Sequence, residues 1–122
     1  RELARRSEVI TFDWENVSVE SLAALGRRTR IAPPLPALAA SQDRLSEKRL
    51  FDRLGIPTTR YAAVDSRAAL LRAIGRIGLP GVLKTRRMGY DGKGQAVLRH
   101  LDDVDAALAA MGGQPALYEE FV

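Results

Sequence analysis

Three glycines, Gly89, Gly92 and Gly94, fall within six residues between two short apolar runs, Val82-Leu83-Lys84 and Ala96-Val97-Leu98. Each run reads as a strand, so the glycine segment must join strand to strand. That sets aside two common phosphate-binding folds. A Walker loop needs Gly-Lys-Ser or Gly-Lys-Thr, and a dinucleotide fold needs Gly-x-Gly-x-x-Gly leading from a strand into a helix. Neither pattern is present. Two readings remain. Asp91-Gly92 is a strong hairpin dipeptide, and a plain β-hairpin accounts for it. A minimal hairpin turn uses about two to five residues, whereas this segment spends about eight. Lys84, Arg86, Arg87 and Lys93 surround it with positive charge. Glycine admits positive φ and lets backbone N–H groups approach an anion with no Cβ in the way, and lysine heads suit phosphate oxygens. A glycine hairpin folded over phosphates is therefore the second reading.

The flanking sequence predicts the frame for this loop. Thr59 to Val64 reads as a strand. Asp65 or Ser66 then caps a helix whose Leu70, Ala73, Ile74 and Ile77 recur at helical spacing, with Gly78 and Pro80 ending it. After the two strands around the loop, Asp102 is expected to cap a helix with Val104, Ala107, Leu108 and Met111 on one face, closed by Gly112-Gly113. Ala116 to Phe121 is a last strand. From Thr59 onward the order is β-α-β-β-α-β, a small antiparallel or mixed sheet with two helices on one face. Upstream, Val9 to Phe12 reads as a buried strand, Ser18 caps a helix through Leu25, and Pro33-Pro34 and Pro36 mark a connector. Ser41 to Leu54 reads as one helix with Leu50, Phe51 and Leu54 on its apolar stripe, stopped at Gly55-Ile56-Pro57.

Composition narrows the function classes. The 122 residues hold no cysteine, which excludes disulfides, zinc-thiolate sites and thiol nucleophiles, and fits a cytoplasmic protein. The net charge is +4, but the arginines are spread along the chain with acids between them, and no aromatic-basic alternation of a single-strand binder occurs. Nucleic acid is not an expected partner. No apolar run approaches the roughly 20 residues that cross a bilayer, so no membrane partner is expected either. The sequence begins without Met and ends on an apolar, strand-like run, and is expected to be part of a longer protein.

The string Val82-Leu83-Lys84-Thr85-Arg86-Arg87-Met88-Gly89-Tyr90-Asp91-Gly92-Lys93-Gly94-Gln95 resembles the signature of the 5-(carboxyamino)imidazole ribonucleotide synthases, ATP-grasp ligases of purine biosynthesis. Thr11 to Val17, Gln42 to Lys48 and the terminal Glu119-Glu120-Phe121-Val122 match the same family in the same order, so the likeness spans nearly the whole chain. The formate-using glycinamide ribonucleotide transformylases share the helix and strand order, but are expected to carry serines and a proline in the loop region. The fold class implied is α/β (α+β), the central part of an ATP-grasp fold. Residues 1–33 would end an N-terminal domain, 34–57 form connecting helices, and 58–122 form the small β-α-β-β-α-β subdomain, with the C-terminal domain absent.

The resemblance also implies roles for particular residues. Lys84 would contact ATP phosphate, and the loop Gly89, Tyr90, Asp91, Gly92, Lys93, Gly94 and Gln95 would cover the phosphates. Arg44 would reach the nucleotide, although alone it reads as a solvated helix residue beside Asp43. Glu119, Glu120, Phe121 and Val122 would form the hinge strand: backbone from Glu120 to Val122 reads adenine, and Glu119 accepts from its amino group. The plain alternative is a sheet strand with Phe121 in the core. Glu15, Tyr90 and Lys93 are candidates for the ribonucleotide end, Glu15 because it follows the carboxyl end of a strand. His100, Arg86 and Arg87 read as surface residues. The reaction implied is ATP-driven carboxylation of aminoimidazole ribonucleotide with bicarbonate by a cytoplasmic homodimer. The Mg2+ ligands and catalytic groups would lie in the absent domain, so the 122 residues alone are expected not to catalyse. A non-catalytic nucleotide-binding module is the alternative.

Overall fold

The computed structural model describes residues 2–27, 29–89 and 92–122. They divide into two compact units, 1–47 and 48–122. In the first, a short helix α1 (Glu2–Arg5) precedes strand β1 (Val9–Ile10), helix α2 (Val19–Gly26), strand β2 (Arg30–Ile31) and helix α3 (Leu35–Ser41). Strands β1 and β2 pair in parallel, with α2 as the crossover that such a pair requires. Ser18 caps α2 as expected, its hydroxyl accepting from the Ser21 N–H at 3.0 Å. Ala4, Ile10, Leu22 and Leu38 form the buried core of this unit. The strand expected through Phe12 ends at Ile10, because pairing stops where the Ala32 N–H donates to the Ile10 carbonyl.

The helix expected from Ser41 to Leu54 is two helices. α3 starts just after Pro34, inside the expected connector, and α4 spans Arg44–Arg53. Proline is compatible with a first helical turn because its missing N–H would have no partner there. The break falls at Asp43, whose buried carboxylate accepts from the N–H groups of Leu45 (3.0 Å) and Ser46 (3.3 Å). An aspartate that satisfies orphan amides starts a helix more effectively than it continues one. The apolar stripe also differs: Leu45 is the buried residue of α4, and Leu54 is exposed.

The second unit follows the expected β-α-β-β-α-β order. Strand β3 (Tyr61–Val64) leads to helix α5 (Arg67–Ile77), strands β4 (Gly81–Thr85) and β5 (Gln95–Leu98), helix α6 (Val104–Ala110) and strand β6 (Ala116–Glu120). Every strand pair is antiparallel, and the spatial order is β3-β6-β4-β5. The last strand thus inserts between the first two, so both β4 and β6 are interior. Ser66 caps α5 by accepting from the Ala69 N–H. Leu70, Ala73, Ile74 and Ile77 of α5, and Val104, Ala107 and Met111 from α6 and its C-terminus, pack on Val64, Leu83, Leu98 and Tyr118. Fully burying one such leucine contributes about 1.5–3 kcal/mol.

Two local details depart from expectation. The carboxylate at the start of the last helical segment is Asp103, not Asp102. It accepts from the N–H groups of Arg99 (2.8 Å) and His100 (2.9 Å), and these backbone bonds hold it below the usual carboxylate range. A 3-10 turn, Leu101–Asp103, precedes α6 there. Phe121 lies on the surface, where the Arg99 guanidinium sits 5.5 Å from its ring centroid. The core aromatic is instead Tyr118, whose hydroxyl donates to the Gly78 carbonyl at 2.8 Å.

Gly81 and Gly75 make the packing testable. A Cβ on Gly81 would lie 2.1 Å from the Tyr118 hydroxyl, whereas one on Gly75 meets nothing within 4 Å. Gly81→Ala is expected to lower stability by about 1–3 kcal/mol, the usual cost of overpacking. Gly75→Ala, inside α5, should raise it by about 0.5–1 kcal/mol. Urea unfolding followed by circular dichroism would measure both.

Candidate functional site

The glycine segment leaves the end of β4 and returns on β5. Lys84 pairs with Gln95 across these strands, and the Thr85 N–H donates to the Gly94 carbonyl at 2.8 Å. The connection therefore spans Arg86 to Gly94. β4 and β5 form an antiparallel pair, which both readings require, and the connection is longer than a minimal turn needs. Met88, Gly89, Gly92 and Gly94 all have positive φ. At Gly94 (φ +67°) a Cβ would come within 2.7 Å of the Thr85 Oγ1, so glycine is required there by space as well as by conformation. Tyr90 and Asp91 lie outside the described residues. Lys93 and Arg87 are exposed, and Arg86 is half-buried with its N–H donated to the Pro115 carbonyl.

Beneath the loop's point of departure is a charged cluster. Lys84 of β4 and Glu119 of β6 lie on neighbouring strands, and the Lys84 Nζ donates to the Glu119 Oε2 at 2.9 Å. Glu119 is buried, with 7% of its surface exposed, so its charge needs a partner. It has a second one that the sequence analysis did not single out. The Lys48 Nζ lies 3.8 Å from the Glu119 Oε1 and donates to the Thr59 Oγ1 at 2.7 Å. Lys48 also sits over the Tyr61 ring, 5.8 Å from its centroid. The Tyr61 hydroxyl in turn donates to Asp52. Burial, and then that hydrogen bond, push the Tyr61 phenol above its usual value. The helical segment from Lys48 is thereby fastened to the start of β3. The family likeness took in Lys48 as the end of Gln42 to Lys48 but gave it no role, and a lysine in a polar helix reads as a solvated residue.

Past Glu119 the chain continues into more exposed residues. Arg60 meets Glu120 through two bonds, Nε to Oε2 at 3.2 Å and Nη2 to Oε1 at 2.9 Å. The hydrogen bond from Arg60 holds the Glu120 carboxyl below the usual range. The Glu120 N–H donates to the Arg60 carbonyl and the Phe121 N–H to the Pro80 carbonyl. Two of the backbone donors expected to read adenine are thus engaged within the sheet.

In the first unit, Glu15 is exposed on the turn that follows β1. The Gln42 Nε2 donates to its carbonyl (2.6 Å) and to that of Val17 (2.7 Å), fixing the loop. The Glu15 carboxylate accepts from the Asn16 side chain at 3.3 Å. Arg44 opens α4 and is half-buried. His100 is exposed, as expected. Among the described residues, no group of three His, Asp or Glu side chains is placed to hold a metal ion, and no helix is long and apolar enough to cross a membrane.

Comparison with known proteins agrees with this geometry. The N5-carboxyaminoimidazole ribonucleotide synthase of Pseudomonas aeruginosa is 46% identical over 122 residues, which is 100% of this chain and 34% of that protein. The chain spans about a third of the length of the curated relatives it matches first. Among solved structures, an N5-carboxyaminoimidazole ribonucleotide synthetase in complex with ADP superposes with a TM-score of 0.91 at 35% identity, over 99% of this chain and 32% of that one. The carboxyaminoimidazole ribonucleotide synthase of Aspergillus clavatus complexed with ATP gives 0.92 at 27% identity, with the same coverage. The family model for the ATP-grasp domain matches residues 49–122, more than half of the sequence: the chain belongs to the ATP-grasp family.

Proposed function

We propose that this chain forms the ATP-gripping part of a ligase that carboxylates 5-aminoimidazole ribonucleotide with bicarbonate. The observation that carries the reading is the Lys84–Glu119 pair at the root of the glycine loop. It puts an ammonium at the root of the glycine loop and a carboxylate on β6 next to it, which supports a phosphate-facing role for Lys84. The likeness to the synthases over the whole chain supplies the substrate, and the ADP and ATP complexes of similar proteins supply the nucleotide.

In this reading Lys84 contacts phosphate, and the Gly89 to Gln95 loop, with Tyr90, Asp91 and Lys93, closes over it. Glu119 accepts from the adenine amino group. Because the N–H groups of Glu120 and Phe121 are donated within the sheet, the reading assigns the backbone donor for adenine to Val122. Arg44 reaches the nucleotide from α4. Glu15, Tyr90 and Lys93 serve the ribonucleotide end. Residues 1–33 close one domain, 34–57 connect, and 58–122 form the small subdomain of a cytoplasmic homodimer.

The chemistry is phosphoryl transfer followed by carboxyl transfer. A bicarbonate oxygen attacks the γ-phosphorus of ATP, breaking its bond to the β-phosphate and releasing ADP. The ribonucleotide's amine then attacks the carboxyl carbon of the carboxyphosphate. The C–O bond to phosphate breaks, phosphate departs, and the amine loses a proton to give the carbamate. Lysine charge and loop amides stabilise such a transfer by positioning and electrostatics. The loop would exclude water from the labile intermediate. Mg2+ would supply charge neutralisation on the phosphates; among the described residues no group of three His, Asp or Glu side chains is placed to hold it.

The test is phosphate release by the protein as its gene encodes it, supplied with ATP, Mg2+, bicarbonate and aminoimidazole ribonucleotide. Release that requires the ribonucleotide is expected, and its absence in the wild type overturns the reading. Lys84→Ala should lower kcat/KM for ATP by about 100-fold or more, as loss of one transition-state donor does. Gly94→Ala should raise KM for ATP by about tenfold or more by displacing the loop. Circular dichroism would confirm that β4 and β5 still pair in that variant.

A further inference from the structure

Lys84 cannot give its full charge to a phosphate while it is the main partner of a buried carboxylate. Its Nζ is 2.9 Å from the Glu119 Oε2, and the Glu119 side chain is 9% exposed. Removing one partner of a buried pair is strongly unfavourable, because the remaining charge is left without compensation. A phosphate arriving at Lys84 therefore competes with Glu119, and something must take up the carboxylate's charge. Among the described residues, Lys48 is a second cation in position. Lys48 is 14% exposed at its side chain, and its Nζ is 3.8 Å from the other carboxylate oxygen, Oε1. Its bond to the Thr59 Oγ1 and its place over the Tyr61 ring keep it there. At 3.8 Å it is an ion pair just beyond hydrogen-bond range, poised to close by well under 1 Å.

We infer that Lys48 is a positioning residue of the nucleotide site: it takes over the Glu119 carboxylate as Lys84 turns to phosphate. The inference rests on the ATP-binding reading above. Two ammonium groups, those of Lys84 and Lys48, share the Glu119 carboxylate, so one can leave it without stripping it of a cation. The hand-over also keeps Glu119 fixed on the hinge strand. Lys48 itself touches no substrate in this scheme. A purely structural Lys48 would instead fasten α4 to β3, with equal effect on every ligand.

The experiment compares ATP with adenosine, which lacks phosphates and makes no demand on Lys84. Affinities for both are measured by isothermal titration on the protein as its gene encodes it, for the wild type, Lys48→Met, Lys48→Arg, Glu119→Gln and the Lys48→Met/Glu119→Gln double variant. Lys48→Met should weaken ATP roughly 10- to 100-fold, the scale of an uncompensated, partly buried charge, and leave adenosine within about twofold. Lys48→Arg should restore ATP binding to within about threefold of wild type, because it keeps the cation. In the Glu119→Gln background the Lys48→Met effect on ATP should fall below about threefold, since no carboxylate remains to be left unpaired.

Equal loss of ATP and adenosine, or an undiminished Lys48→Met effect beside Glu119→Gln, overturns the inference. Should the methionine variant not fold, a crystal structure of the wild type with a non-hydrolysable ATP analogue decides. The Lys48 Nζ to Glu119 Oε1 distance is expected to close to about 3.2 Å or less; a distance that stays at 3.8 Å or grows overturns it. Failure of the wild type to bind ATP at all would instead defeat the functional reading.

Discussion

A buried carboxylate organises this protein's second unit. Glu119 sits on the interior strand β6, and an unpaired charge in that place would cost several kcal/mol. Its two lysines come from different elements, Lys84 from the neighbouring strand β4 and Lys48 from helix α4. The pairing consequently fixes three things together: the register of β6 against β4, the place where the glycine loop begins, and the docking of the helical segment on β3. Hydrophobic packing is non-directional and cannot specify all of these. It holds the helices α5 and α6 on one face, whereas the ionic cluster determines what the strand ends present to a ligand.

The topology makes that cluster possible. Because β6 inserts between β3 and β4, the final strand lies beside both the loop-bearing strand and the segment that receives Lys48. A simple meander would have left the chain's last strand at an edge, far from Lys84. The loop then adds its own constraint. Positive φ at Met88, Gly89, Gly92 and Gly94 bends the backbone in a way β-branched residues resist, and Gly94 has no room for a side chain against Thr85. The price is a conformation with more freedom in the unfolded chain, which a hairpin built only for stability would avoid with a shorter turn.

Legibility in the sequence followed the range of the interaction. Local signals read correctly: the Ser18 and Ser66 caps, the Gly78 stop, and the 3.6-residue spacing of Leu70, Ala73, Ile74 and Ile77. The loop's glycines marked a connection longer than a minimal turn, and the positive φ at Gly89, Gly92 and Gly94 agrees with that. Signals that compete at one place were harder. Ser41 to Leu54 has helical composition throughout, and only the Asp43 carboxylate, by capturing two amides, divides it. Phe121 has a core residue's chemistry but stands past the last paired residue, so it pairs with Arg99 at the surface. Lys48 was illegible because its meaning depends on Glu119, 71 positions away in sequence. Nothing in single-sequence periodicity reports a contact of that length, and the strand order that creates it is equally non-local.

The presence of the cluster is itself informative about purpose. Replacing a buried ion pair by apolar residues of similar volume is often neutral or stabilising by about 1–4 kcal/mol, because both desolvation costs vanish. The cluster's cost in desolvation is thus offset by more than net stability: it fixes the arrangement of β6, β4 and α4. What charges supply and apolar groups cannot is exchange: an ammonium held by one anion can be released to another when a second cation stands ready. The 2.9 Å and 3.8 Å distances are the asymmetry on which the proposed exchange rests. In the proposed exchange the carboxylate stays neutralised both before and after an anion arrives, which is the condition a phosphate grip beside a buried acid has to meet.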